Sequence, residues 1–229
     1  LEVFVVNVLG FVQLAQAAPS VGGYAYPIGI QKRAERKELT NAGQLFGFLK
    51  DILHAAIGPV DGIASGISFR AARQGDVAEI MEVCHVMSSN RLPIEMRLSS
   101  LQMGRHLWEL SRQWEWAQCV HEQLDPMARN NDLHHAVAFG ALISEATSSQ
   151  ARAIAAYLFN TVKGIVTDAI QTIPLDDATG QRLLGQVQPT IAELANQYVN
   201  KRADDIVTLQ TNAAGNDPDA DAYRDLFQS

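Results

Sequence analysis

Residues 151–173 read ARAIAAYLFNTVKGIVTDAIQTI. Apolar side chains fall at Ala151, Ile154, Ala155, Leu158, Phe159, Val162, Ile165, Val166, Ala169, Ile170 and Ile173. Steps of three and one repeat throughout, which is the stripe of an amphipathic α-helix and not the alternation of a strand. At about 1.5 Å per residue the helix would be about 34 Å long, enough to cross a domain. Pro174 supplies its stop.

The same period recurs on both sides of this stretch. Leu183, Leu184, Val187, Ile191, Leu194, Ala195 and Tyr198 share one side of a helix over 180–198, with Asp177 or Thr179 as its cap. Pro189 lies inside that pattern and predicts a kink or break near Gln188. After Gly75, Asp76 and Glu79 have the spacing of a capping box, and Val77, Ile80, Met81, Cys84 and Met87 form the stripe behind it. Two more helices are predicted over Ile94–Trp116 and Ala42–Ile57. No segment alternates β-branched and polar residues, and no hairpin turn joins two such runs. The predicted fold is all-α: a single domain, 1–229, of about eight to ten helices.

Composition bounds the function. Apolar residues make up 47% of the 229 and charged residues 19%, a globular balance that can bury about three-quarters of the unfolded surface. The net charge of −7, with no Lys/Arg stripe, argues against a nucleic-acid surface. Two cysteines, Cys84 and Cys119, are too few for a disulfide framework and fit a reducing compartment. The apolar run at the start lacks a basic flank and is too short and interrupted to span a bilayer, so it predicts a buried first helix, Glu2–Ala17. The expected location is cytoplasmic.

Candidate chemistry is sparse. His134 and His135 are adjacent and would point about 100° apart on a helix, which suits packing at a helix entry better than one ion. Cys84-His85 and His121-Glu122 lack zinc spacing. Asp217, Asp219 and Asp221 alternate as in a calcium loop. Ala222 and Gln228, however, stand where that loop needs Gly and Glu, leaving an acidic tail over 212–229. The glycine-rich stretch 18–31, APSVGGYAYPIGIQ, lacks the P-loop spacing and its lysine. It reads as a turn that Pro19 opens and Gly22-Gly23 permit, with Tyr24 and Tyr26 of the amphipathic type favoured at interfaces. No metal site and no cofactor is assigned. Two other readings remain open. One is a small-ligand binder or enzyme with a pocket of His106, Trp108 and Tyr24; the other is nickel storage on His121, His134 and His135.

Five segments, in order, resemble the UreF family of urease accessory proteins. QLAQAAPSVGGYAYPIGIQ is similar to QLxSPxLPVGGFSYSxGLE through Gln13, Leu14, Pro19, Val21, Gly22, Gly23, Tyr26 and Gly29, with Tyr24 for the usual Phe. PIEMRLSSLQMGRHLWEL resembles RELRxxxxQMGRxLLxL through Glu95, Arg97, Gln102, Met103, Gly104 and Arg105. HAVAFG resembles HPVAFG through His135, Val137, Ala138, Phe139 and Gly140. IPLDDATGQRLL resembles PLGQTxGQRLL through Pro174, Leu175, Gly180, Gln181, Arg182, Leu183 and Leu184. YRDLFQS resembles YSRLFRS, with Tyr223, Leu226 and Phe227 retained.

The resemblance implies an all-helical, dimeric, non-enzymatic maturation factor. It would bridge UreD (also called UreH) and the GTPase UreG, which together deliver nickel to apo-urease. It also implies that partners are met through Gly22, Gly23, Tyr24, Tyr26, Gly29, Arg97, Gln102, Met103, Gly104, His135, Gln181, Tyr223, Leu226 and Phe227. The chain departs from the pattern at Gln31 for a carboxylate, Ala136 for proline, Asp176-Asp177 for Gly-Gln and Gln228 for arginine.

Overall fold

The computed structural model describes residues 2–17, 29–89, 94–128 and 133–207. All regular structure among these residues is helical. In chain order the helices are α1 (Glu2–Ala17), α2 (Ile30–Glu35), α3 (Ala42–Ile52), a π-helical segment (Leu53–Gly62), α4 (Ile63–Gln74) and α5 (Val77–Ser88). Then come α6 (Ile94–Ser111), α7 (Gln118–Ala128), α8 (His135–Ile143), α9 (Gln150–Thr172) and α10 (Asp177–Gln197), with short 3-10 turns at Glu115–Ala117 and Ala203–Asp205.

Helix α9 lies within one residue of its predicted ends. Ser149 starts it by accepting a hydrogen bond from the Arg152 N–H at 3.3 Å. Its buried surface is wider than the predicted stripe and includes Ala153, Tyr157, Asn160 and Thr161. The reason is position: α10, α4 and the π-helical segment all pack on α9, so more than one of its faces is interior. Helix α10 begins one residue before the predicted caps, at Asp176, whose carboxylate accepts from the Thr179 N–H at 2.8 Å. It runs through Pro189 without a break. Both Pro189 and Gly185, whose carbonyl loses its helical donor, are exposed, so solvent can replace that bond.

The predicted helix Ala42–Ile57 is longer than its sequence suggests. Asn41 caps it, accepting from the Gln44 N–H at 3.0 Å, and helical backbone continues from Ala42 to Gln74. Pro59, two residues beyond the predicted end, falls within the π-helical segment, which accommodates it. Gly75, at φ 69°, ends the rod in the left-handed region. The side chain of Asp76 then accepts from the Glu79 N–H at 3.0 Å. The Glu79 carboxylate pairs with Arg70 instead of closing the capping box. In α5, Ile80, Val83, Cys84 and Met87 are buried, whereas Met81, placed in the stripe by its spacing, is exposed.

Two further expectations are corrected. Helix α6 stops at Ser111, not Trp116, because Trp114 turns inward and stacks on Trp116 with ring centroids 5.3 Å apart. The first helix forms over the predicted Glu2–Ala17 but is not buried throughout. Leu14 is fully covered, while Val8, Leu9 and Val12 are exposed. Trp116 holds α1 in place by donating from Nε1 to Gln13 Oε1 at 2.9 Å.

At the centre, α8 is buried along its whole length between α4 and α6. Gly140 makes this possible: any Cβ there would collide with the backbone of Ser65 on α4. Two helical stretches, Ala42–Gln74 and Gln150–Thr172, have the length and apolarity of a membrane span. Of their most apolar windows 89% and 61% is buried inside the protein, as expected of core helices.

Candidate partner-docking site

Helices α6 and α8 bring two of the sequence motifs together. Gly104 of the QMGR segment packs against the entry of α8, and a Cβ on it would collide with the Leu133 carbonyl oxygen and lie 2.8 Å from the His135 nitrogen. Met103 beside it is buried, and its Sδ lies 3.8 Å from Ser99 Oγ. This inner face fixes where α6 sits.

The two histidines complete the junction. His134 is fully buried, with Nδ1 3.1 Å from Ser100 Oγ and Nε2 3.0 Å from Ser88 Oγ. The His135 N–H donates to the same Ser100 oxygen at 3.3 Å. The network is satisfied when Ser100 donates to Nδ1 and Nε2–H donates to Ser88. Burial pushes His134 down to about 4, and the nearby Arg97 adds to the shift. Arg97 itself donates to the Ser88 carbonyl at 2.9 Å, which ties α6 to the end of α5. His135 is also pushed down to about 4, by burial. Its Nδ1 lies 3.3 Å from the Tyr157 hydroxyl, and its ring packs on those of Tyr157 and Phe139. Both imidazoles are therefore neutral at pH 7 and serve as interior packing groups at the helix entry.

The outer face of α6 is different. Gln102, Arg105, His106, Glu109 and Leu110 line an open depression of about 470 Å³, with exposed Leu98 and Ile94 further along the helix. Gln102 and Arg105 thus belong to the motif but not to the core. Gln181, at the start of α10, is likewise exposed, while Gly180 beside it is buried near Val166 and Ile170. Gly29 precedes α2 at φ 68°, a conformation that favours glycine, and is buried. Gly22, Gly23, Tyr24, Tyr26, Tyr223, Leu226 and Phe227 lie outside the described residues. So does the acidic tail 212–229.

Of the three residues of the alternative pocket, His106 and Trp108 do not share a face, and Tyr24 lies outside the described residues. His106 is exposed on α6, and Trp108 points into the core, where its Nε1 donates to Asp125 Oδ1 at 3.1 Å. A different cluster forms there instead, unsuspected from sequence. Ser111 Oγ is 3.0 Å from His121 Nε2, and His121 Nδ1 is 3.7 Å from Asp125 Oδ1. The order of groups is that of a hydrolytic triad, but Ser111 is completely covered and its hydroxyl bonds the Trp108 carbonyl at 3.0 Å. Burial pushes His121 down, and Asp125 only partly offsets this. For Asp125, burial works upward, yet hydrogen bonds from Arg112 and Trp108 outweigh it and hold the carboxyl below its ordinary value. The cluster joins α7 to the end of α6. The i, i+4 spacing of His121 and Asp125 is its one signal in the sequence. Among the described residues, no group of three or more His, Cys, Asp and Glu side chains is placed to hold a metal.

Comparison with known proteins identifies the family. The UreF family model matches residues 39–188, which contain both motifs of the α6–α8 junction and the start of α10. A urease accessory protein UreF from Azorhizobium caulinodans is 28% identical over 212 residues, covering 91% of this chain and 90% of that protein. One from Polaromonas sp. is 29% identical over 196 residues, covering 82% and 81%. One from Methylibium petroleiphilum is 30% identical over 189 residues, covering 81% and 78%. The chain belongs to the UreF family of urease accessory proteins and is not itself an enzyme.

Proposed function

We propose that this chain is a scaffold for nickel delivery to apo-urease, working in the cytoplasm as a homodimer and bridging UreD (UreH) and the GTPase UreG. The observation that carries the reading is the division of labour within one motif on α6. Met103 and Gly104 are buried against α8, whereas Gln102 and Arg105 stand on the outer face beside exposed Leu98 and Leu110. The fold does not use the exposed pair, and a mixed polar and apolar helix face suits a protein partner. Buried Gly104 and His135 would support this face from behind without touching the partner. Gln181 and the glycine–tyrosine stretch 18–31 would add further contacts.

The scaffold would act by differential affinity. Binding one nucleotide state of the GTPase more tightly shifts its equilibrium, and only by as much as the two affinities differ. Nickel is cargo in this scheme, handled by the partners. Co-expression with UreD and UreG, followed by co-purification and native mass, tests it. A ternary complex that forms only when this chain is present is the expected result. If neither folded partner binds, the bridging role is lost.

A further inference from the structure

A groove of about 440 Å³ runs between α1, α9 and α10. Its walls are Phe11 and Ala15 of α1, Ala155, Ala156 and Phe159 of α9, and Ile191 and Ala192 of α10. Val8 and Val12, exposed on α1, share a helix face with Phe11 and Ala15 and prolong the apolar strip. Three polar groups break it, one of them the exposed Gln188. Arg152 stands at the rim, and Asn160, 7% exposed, lines the groove with an Nδ2 that has no hydrogen-bond partner among the described residues. A buried amide donor without a partner is costly, and an occupant offering an acceptor would remove that cost. An extended apolar strip with one cation and one buried donor suits an acidic amphipathic helix.

The chain carries one such segment beyond Val207. In DADAYRDLFQS, Ala220, Tyr223, Leu226 and Phe227 would share one face of a helix, with Asp219 at the N-terminal end of that face and Asp221 and Asp225 on the opposite side. Val207, the last described residue, is fixed by its N–H to the Pro59 carbonyl at 3.4 Å. The eleven residues between it and Asp219 can extend about 36–40 Å. That is about twice the radius of gyration of about 17 Å expected for a domain of this size, so the leash is long enough to cross a large part of the surface. We propose that the chain's own C-terminal segment, 219–229, docks as a helix in the groove between α1, α9 and α10. Tyr223, Leu226 and Phe227 face Phe159 and Ile191, and Asp219 lies toward Arg152. A partner that recruits the tail must then draw it from this seat or bind it there. The inference rests on the groove and the tail alone and stands apart from the proposed bridging role.

The test uses the full chain without partners. Chymotryptic cleavage at Tyr223, Leu226 and Phe227 is followed by mass spectrometry for the native chain and for Ala192→Glu, which adds both bulk and a repelling charge. Ala192 is exposed, so the substitution blocks the groove without entering the core. The expected result is cleavage faster by about tenfold in the variant, at unchanged helicity, as for release of a locally protected segment. Equal rates in the two proteins overturn the proposal. A second measurement identifies whose tail is bound, using Ala192→Cys with Ala222→Cys in a Cys119→Ser background. A disulfide within one chain supports the assignment; one that joins two chains places a second copy's tail in the groove and overturns it.

Discussion

Gly104 of α6 and the carbonyl of Leu133 lie so close that no side chain fits between them. The contact is backbone against backbone, at the point where α6 meets the entry of α8. Neither partner is the tip of a flexible side chain that could swing away. Gly104→Val should therefore cost at least about 1–3 kcal/mol, the range for overpacking a tight interior. Urea denaturation checks it: the midpoint should fall, and the exposed Gln102→Ala beside it should leave the midpoint nearly unchanged.

The two interior histidines make stability depend on pH. Each has a folded-state pKa near 4 against an ordinary 6.5, so between these values the unfolded chain binds more protons than the folded one. Stability is then full above about pH 6.5 and declines as the pH falls toward 4, with a slope of up to about 1.4 kcal/mol per unit for each histidine. Denaturation midpoints at pH 7, 6 and 5 should fall in that order. His135→Gln, whatever its cost at pH 7, should flatten the slope; an unchanged slope would remove His135 from the account.

The outer face of α6 should separate binding from folding. Arg105→Glu reverses an exposed charge and should change stability by less than about 0.5 kcal/mol, as surface substitutions do. If this face meets a partner, the same change should weaken co-purification with UreD or UreG by at least about tenfold, the effect of about 1.4 kcal/mol. Retention of both partners at native levels would move the docking site elsewhere.

Gly29 offers a test of backbone against contact. At φ 68° an alanine is strained, so Gly29→Ala should lower stability by about 1 kcal/mol, and Gly29→Asn, which tolerates this region better, by less. Thermal unfolding of the two variants distinguishes them. Equal losses would point to the space around Gly29 instead of its backbone angle.

How far the sequence reached can be traced through particular residues. Helix α9 was legible because its stripe is long and Pro174 marks its end, while its cap at Ser149 came only from the structure. Met81 was misplaced because one residue on a stripe's border can face either way, and neighbouring elements decide. The end of α6 was missed because Trp114 continues the apolar pattern while its backbone has left the helix. The α6–α8 junction could not be seen at all from spacing: Gly104 and Leu133 are distant in sequence, and their contact is tertiary. Resemblance to a family marked Gln102, Met103, Gly104 and His135 together. Only the structure divides them into buried supports and an exposed face. The Ser111–His121–Asp125 cluster was invisible for the same reason, with one member on α6 and two on α7.

The π-helical segment at the middle of the Ala42–Gln74 rod has one more consequence. Each of its turns takes up one residue more than an α-turn, so the faces of α3 and α4 are out of phase although the axis is unbroken. The segment works as a gear between two registers: α3 presents Leu45, Phe48 and Leu49 to the core, and α4 presents Ser65 to Gly140. Deleting a single residue between Leu53 and Gly62 would leave a rod of nearly the same length that turns Ser65 away from α8. The length of this stretch, more than the identity of its apolar residues, sets the phase between α3 and α4.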